Sequence, residues 1–140
     1  MVLLDSDHMS LLQRGGVEGL RIRVRLRALP PDDVATTIVS YEEQMRGWLA
    51  RLARTTTQER QIFDYSELKK LLQSYCSFAV IDYNTIAAAE FQRLFASKLR
   101  VGTLDLKIAA IALANSAVLL TRNKTHFDKI IGLRTEDWSL

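Results

Sequence analysis

Three acids in this chain occupy positions where an acid needs a reason. Asp5 directly follows the apolar run VLL, Glu43 lies just past the β-branched stretch VATTIVS, and Asp105 opens the apolar segment VGTLDLKIAAIALA. Wound as a helix at about 100° per residue, that segment directs Asp105 between Ile108, Ala109 and Ala112, with Lys107 nearly opposite as the solvent marker. Singly, each acid has an ordinary explanation. An acid in a helix's first turn gains up to ~1 kcal/mol from the macrodipole, and an Asp after a strand readily forms a turn. Brought together they pose a problem, because two carboxylates about 4 Å apart repel by about 4 kcal/mol at an effective dielectric of 20. Protons or a cation must then neutralise the cluster, and oxygen-only ligands favour Mg²⁺ or Mn²⁺. Zinc is a poor fit, since His8, His126 and Cys76 have no ligand spacing.

The elements that must position these acids alternate between short strands and helices. Residues 2–4 read as a buried strand ending at Asp5, and a short helix around Met9–Gln13 stops at Gly15 and Gly16. The run RIRVRLR, Arg21–Arg27, carries a helical stripe of Ile22, Leu26 and Leu29 that ends before Pro30 and Pro31. Residues 34–40 read as a second strand, followed by helices from about Tyr41 to Arg54 and Gln58 to Tyr75, a helical hairpin broken by TTT. FAVIDY is a third strand, and Asn84 caps the helix after it. Thr103 is positioned to cap the Asp105 helix, AVLLT is a fourth strand, and LRTEDW reads as a fifth at an edge. This alternation predicts one α/β domain over residues 1–140, a three-layer α/β/α sandwich around a mostly parallel sheet of four or five strands. Right-handed connections bring all three acids to the carboxyl edge of such a sheet, where ligands bind.

Composition narrows the setting. The chain has 140 residues, 48% hydrophobic and 25% charged, enough for a core without staples. One cysteine forms no internal disulfide, and no apolar run spans a bilayer, so a soluble cytoplasmic protein is the expectation. The net charge of +3 permits a polyanionic partner without requiring one, and the four arginines of RIRVRLR suit either a solvated face or a phosphate-contacting patch.

The stretches LLDSDH, TIVSYEEQMRG, GTLDLKIAAIALA and LLTRNKTHFDKIIGLRTEDW resemble, in order and spacing, the PIN-domain nucleases, and most closely their VapC-like toxin branch. The resemblance covers essentially the whole chain. It implies a PIN-like fold and a metal-dependent ribonuclease neutralised by a small antitoxin, commonly as a homodimer. Asp5 matches the first family acid, Glu43 the second because it stands four residues before Gly47, and Asp105 the third. Asn123, two residues after Thr121, falls on the fourth position. Asp7 matches a supporting acid. Where many relatives have an acid just before the Phe of this turn, the chain has His126, so its cluster carries less negative charge.

On this reading Asp5 and Asp105 hold the ion, Glu43 orients or deprotonates an attacking water, and Asp7 and Thr121 support the site. Arg46, Arg122 and Lys124 are the expected contacts to the RNA backbone, while Trp48 and Trp138 are expected to pack in the core or an interface. Three other readings compete. A haloacid-dehalogenase-type phosphohydrolase shares the D-x-D but wants Thr or Val in place of Met9. A receiver domain would use Asp5 and Asp7 for Mg²⁺ and Asp82 as phospho-acceptor. A catalytically impaired PIN-like module would only bind RNA or protein. Neither of the first two gives Asp105 a role.

Overall fold

A computed structural model describes all 140 residues. In chain order the elements are β1 (Val2–Leu4), α1 (Ser6–Arg14), α2 (Gly16–Arg27), a 3-10 turn (Pro31–Asp33), β2 (Val34–Thr37) and α3 (Ile38–Arg54). There follow α4 (Gln58–Cys76), β3 (Ala79–Ile81), α5 (Thr85–Ala96), α6 (Thr103–Ala114), β4 (Val118–Leu120), α7 (Lys124–Phe127) and β5 (Arg134–Glu136). The five strands form one wholly parallel sheet in the order β3-β2-β1-β4-β5, in register Leu4 with Thr36 and with Leu120. The chain reverses its direction of strand addition after β3, crossing to the far side of β1, so the switch in strand order falls between β1 and β4. That crevice is where parallel α/β sheets bind ligands.

Successive strand residues point to opposite faces, and the two faces carry separate cores. Leu3 and Leu119 join Ile108, Ile111 and Phe127 on one side, and Leu4 and Leu120 join Met9, Ile22, Leu71 and Trp138 on the other. Helices therefore cover both faces, as expected for strands buried on both sides. Helix α6 explains its composition here: six of its twelve residues are buried, and its alanines let it lie close to α3 and α5.

Two element boundaries and the setting of Lys107 depart from expectation. The second strand ends at Thr37, whose side chain accepts the Ser40 N–H at 2.9 Å and starts α3 at Ile38; the cap overrides the β-branched pattern of Ile38 and Val39. The residue before α6 is Gly102, with no side-chain cap, so Thr103 is the first helical residue and does not cap the helix. Lys107 is half-buried, its ammonium 5.5 Å from the Tyr83 ring centroid and 5.7 Å from that of Phe91, so it marks a contact with α5 instead of open solvent.

Candidate active site

Asp5 is fixed by both neighbouring strands. Its own N–H donates to the Leu120 carbonyl at 3.1 Å, and the Thr36 hydroxyl donates to the Leu4 carbonyl at 2.8 Å. The side chain caps α1 by accepting the His8 N–H on Oδ1 at 2.9 Å, and the residue is 5% exposed. The central strand thus ends on a buried carboxylate at the strand-order switch. Glu43 approaches it from the second turn of α3, held by a hydrogen bond from the Ser6 hydroxyl to Oε1. Asp105 enters from the first turn of α6, half-buried, with its Oδ2 4.0 Å from His126 Nδ1.

Their charges act on one another. Burial pushes the Glu43 carboxyl above its ordinary value, and the charges of Asp105, Asp5 and Asp7 push the same way against the Ser6 hydrogen bond. Asp105 is raised by burial and then by Asp5 and Asp7, while His126 opposes the rise. The acids expected to converge therefore share a field, including exposed Asp7 on α1. As the side chains stand, no three carboxylates, imidazoles or thiols converge closely enough to hold one ion. Each has another partner: Glu43 is drawn to Ser6, Asp5 Oδ1 to the end of α1, and Asp105 faces His126. The donor chemistry nevertheless suits a hard cation, because the groups are carboxylate oxygens.

The remaining expected residues divide. Thr121 is fully buried at the end of β4, and its hydroxyl accepts the Asn123 N–H at 2.9 Å. Asn123 shares a 2.8 Å side-chain hydrogen bond with His126 Nδ1, so its route to Asp105 passes through that imidazole. Arg122 and Lys124 are exposed on either side of Asn123. Arg46 is exposed and paired with Glu42 at 2.5 Å. Trp138 is buried beneath the Arg25 guanidinium, whereas Trp48 is half-buried on α3 near Arg51. Asp82 is exposed after the edge strand β3, and β2 separates it from β1, at whose end Asp5 stands, which disfavours the receiver arrangement.

Two participants escape the sequence reading. Ser6 is hidden inside the D-x-D, and its role follows only from the approach of α3. His8 lacks zinc spacing, yet it is fully buried beside Asp5; the available signal is its place with Met9, Leu11 and Leu12 on the inward face of α1.

Known proteins share this fold. The family model for the PIN domain matches residues 2–133. A tRNA(fMet)-specific endonuclease VapC of Shigella flexneri is 38% identical over 64 residues, 43% of this chain and 48% of that protein, so the matched stretch spans about half of the relative. Among solved structures, VapBC-1 of nontypeable Haemophilus influenzae superposes with a TM-score of 0.73 at 23% identity over 100% of both chains. A DNA-bound VapBC of Salmonella typhimurium gives 0.73 at 24% identity, covering 98% of this chain and 97% of that one.

Proposed function

The chain belongs to the PIN-domain family, and from that premise we propose that it is a Mg²⁺- or Mn²⁺-dependent endoribonuclease serving as the toxin of a toxin–antitoxin pair. The observation that supports the reading is the mutual influence of the charges of Asp5, Glu43 and Asp105, acids carried on three separate elements. Asp5, at the end of the central strand, and Asp105, in the first turn of α6, would hold the ion. When bound, such an ion lowers the pKa of a coordinated water and screens charge developing on the phosphate.

Glu43 orients the attacking water and accepts its proton. Its raised proton affinity brings it nearer the operating pH than an ordinary carboxylate, which improves a general base. The Ser6 hydroxyl holds that carboxylate until water and substrate replace the bond. Asn123 adds a neutral carbonyl, with Asp7 and Thr121 supporting the arrangement. Arg122 and Lys124, exposed beside Asn123, hold the flanking RNA phosphates, and Arg46 joins them if it releases Glu42. No 2′-hydroxyl enters this scheme, so products carry 5′-phosphate and 3′-hydroxyl ends. RNA as substrate and a small antitoxin as partner are carried from the VapC relative and the VapBC complexes. A homodimer acting in the cytoplasm completes the proposal; no helix is long and apolar enough to cross a membrane.

The test compares wild type with Asp5→Asn and Asp105→Asn on structured RNA in Mg²⁺, Mn²⁺ or EDTA. Metal-dependent cleavage is expected only from wild type, with unchanged circular dichroism in both variants. Equal cutting by all three proteins removes the acids from the mechanism. Growth arrest on expression, relieved by a co-expressed neighbouring small gene, tests the toxin role separately.

A further inference from the structure

His8 lies at 0% exposure one helical turn from the Asp5 carboxylate, and no catalytic step above uses it. Its Nε2 faces the backbone N–H of Trp138 at 3.2 Å and accepts that hydrogen bond. A ring nitrogen that accepts carries no proton, so the proton of the neutral imidazole resides on Nδ1. Nδ1 is buried without a hydrogen-bond partner, and Asp5 Oδ1 lies 3.5 Å from it. The same Oδ1 already accepts the His8 backbone N–H, while no hydrogen bond engages Oδ2. The backbone N–H of His8 thus engages one oxygen of the acid, its unpartnered Nδ1 lies beside that same oxygen, and the other oxygen is left open.

The far end of this linkage is anchored. The Arg25 guanidinium lies 4.4 Å above the Trp138 ring, and Arg21 donates to the Ser139 carbonyl at 3.2 Å. Trp138 Nε1 donates to Glu136 at 2.6 Å, and Asp137 accepts both the Ser139 N–H and hydroxyl. Burial works to raise the Asp137 carboxyl, but the bonds from Ser139, with the charge of Arg122, hold it below its ordinary value. Two of the four arginines of RIRVRLR therefore clasp the C-terminal segment against α1, and that segment fixes the ring of His8.

We propose that His8 is a positioning residue for Asp5: the Trp138 N–H sets its tautomer, and its buried, unpartnered Nδ1–H is aimed at Asp5 Oδ1, which leaves Oδ2 as the oxygen that meets a cation. This rests on the metal-site reading above and adds a defined role for the chain's C-terminal segment. An outer-shell partner that orients a metal ligand typically changes affinity by about 10- to 100-fold when lost.

The test uses Mn²⁺ alone, its binding followed by loss of the free-ion electron paramagnetic resonance signal, on full-length wild type, His8→Leu and His8→Asn. Leu fills the space without a donor, whereas the Asn amide keeps one near Nδ1. Mn²⁺ binding is expected to weaken by about 10-fold or more in His8→Leu and to stay within about threefold of wild type in His8→Asn. A purely structural His8 would lower both melting temperatures and leave both affinities unchanged, which overturns the proposal. Equal weakening in both variants overturns it as well. Where His8→Leu fails to fold, the ¹⁵N resonances of His8 in wild type decide: a protonated Nδ1 with a bare Nε2 is expected, and a protonated Nε2 refutes it. Wild type that binds no Mn²⁺ brings down the metal-site reading itself, whereas wild type and His8→Leu binding alike bring down only the role of His8.

Discussion

Replacing Asp105 by Asn sets two physical rules against each other. Asp105 occupies the first turn of α6, where a negative charge gains about 0.3–1 kcal/mol from the helix dipole, so the dipole alone predicts a loss of stability. Burial and the charges of Asp5 and Asp7 act oppositely and outweigh His126, since the net effect on the carboxyl is a raised proton affinity. A carboxyl raised in the folded state contributes stability below its unfolded value and loses it as pH rises through the folded value. The charged form at neutral pH is therefore a cost, and Asn, nearly isosteric and neutral, removes it. With a side chain 26% exposed, the expected gain is on the order of 1 kcal/mol at pH 7 without metal, or about 3 °C in Tm for a chain of this length.

The advantage of the Asp105→Asn variant over wild type should open from the ordinary carboxylate value of 3.8 upward and level off by neutrality. Mn²⁺ reverses the order. At 100 times its Kd a ligand adds about 2.7 kcal/mol, which lifts wild type by about 9 °C and the variant by much less. Thermal melts followed by circular dichroism in EDTA and in Mn²⁺, from pH 4 to pH 7.5, measure both halves. A variant that melts below wild type in EDTA, or that gains as much from Mn²⁺, refutes the argument that the acids share an unneutralised site.

Gly19→Ala should destabilise by about 1–3 kcal/mol, because a Cβ there would lie 2.4 Å from the Leu11 backbone carbonyl where α2 crosses α1; denaturant unfolding checks it. Arg51→Met should cost about 2 kcal/mol, since Asp64 is 1% exposed and would keep only the Thr55 hydroxyl at 2.8 Å after losing Arg51 Nε at 2.9 Å. That cost is below the usual one for a fully buried pair because half of Arg51 is exposed. The added change Asp64→Leu should recover most of it in a double-mutant cycle, while RNA cleavage by either single variant stays near wild type.

The residues themselves determined the alternation of elements and the two core faces, because burial on both sides of a parallel sheet demands continuous apolar strands such as VLL at residues 2–4 and again at 118–120. Asp105 was legible for the same reason: an acid in an otherwise apolar helix departs from the pattern that packing imposes. Asp5 and Glu43 could be placed at the same edge because parallel crossovers have one hand.

Tertiary structure alone decided the rest. Whether Glu43 meets Asp5 or a hydroxyl depends on where α3 crosses α1, which brings Ser6 across 37 residues. Thr37 became a cap and Gly102 preceded α6 because helix starts are set by which side chain reaches which free N–H, a matter of ångströms that residue type does not encode. His8 shows the limit most clearly. Its tautomer depends on a backbone N–H 130 positions away, and a proton's location on a ring is fixed by the partner across space, which no local spacing of residues can specify.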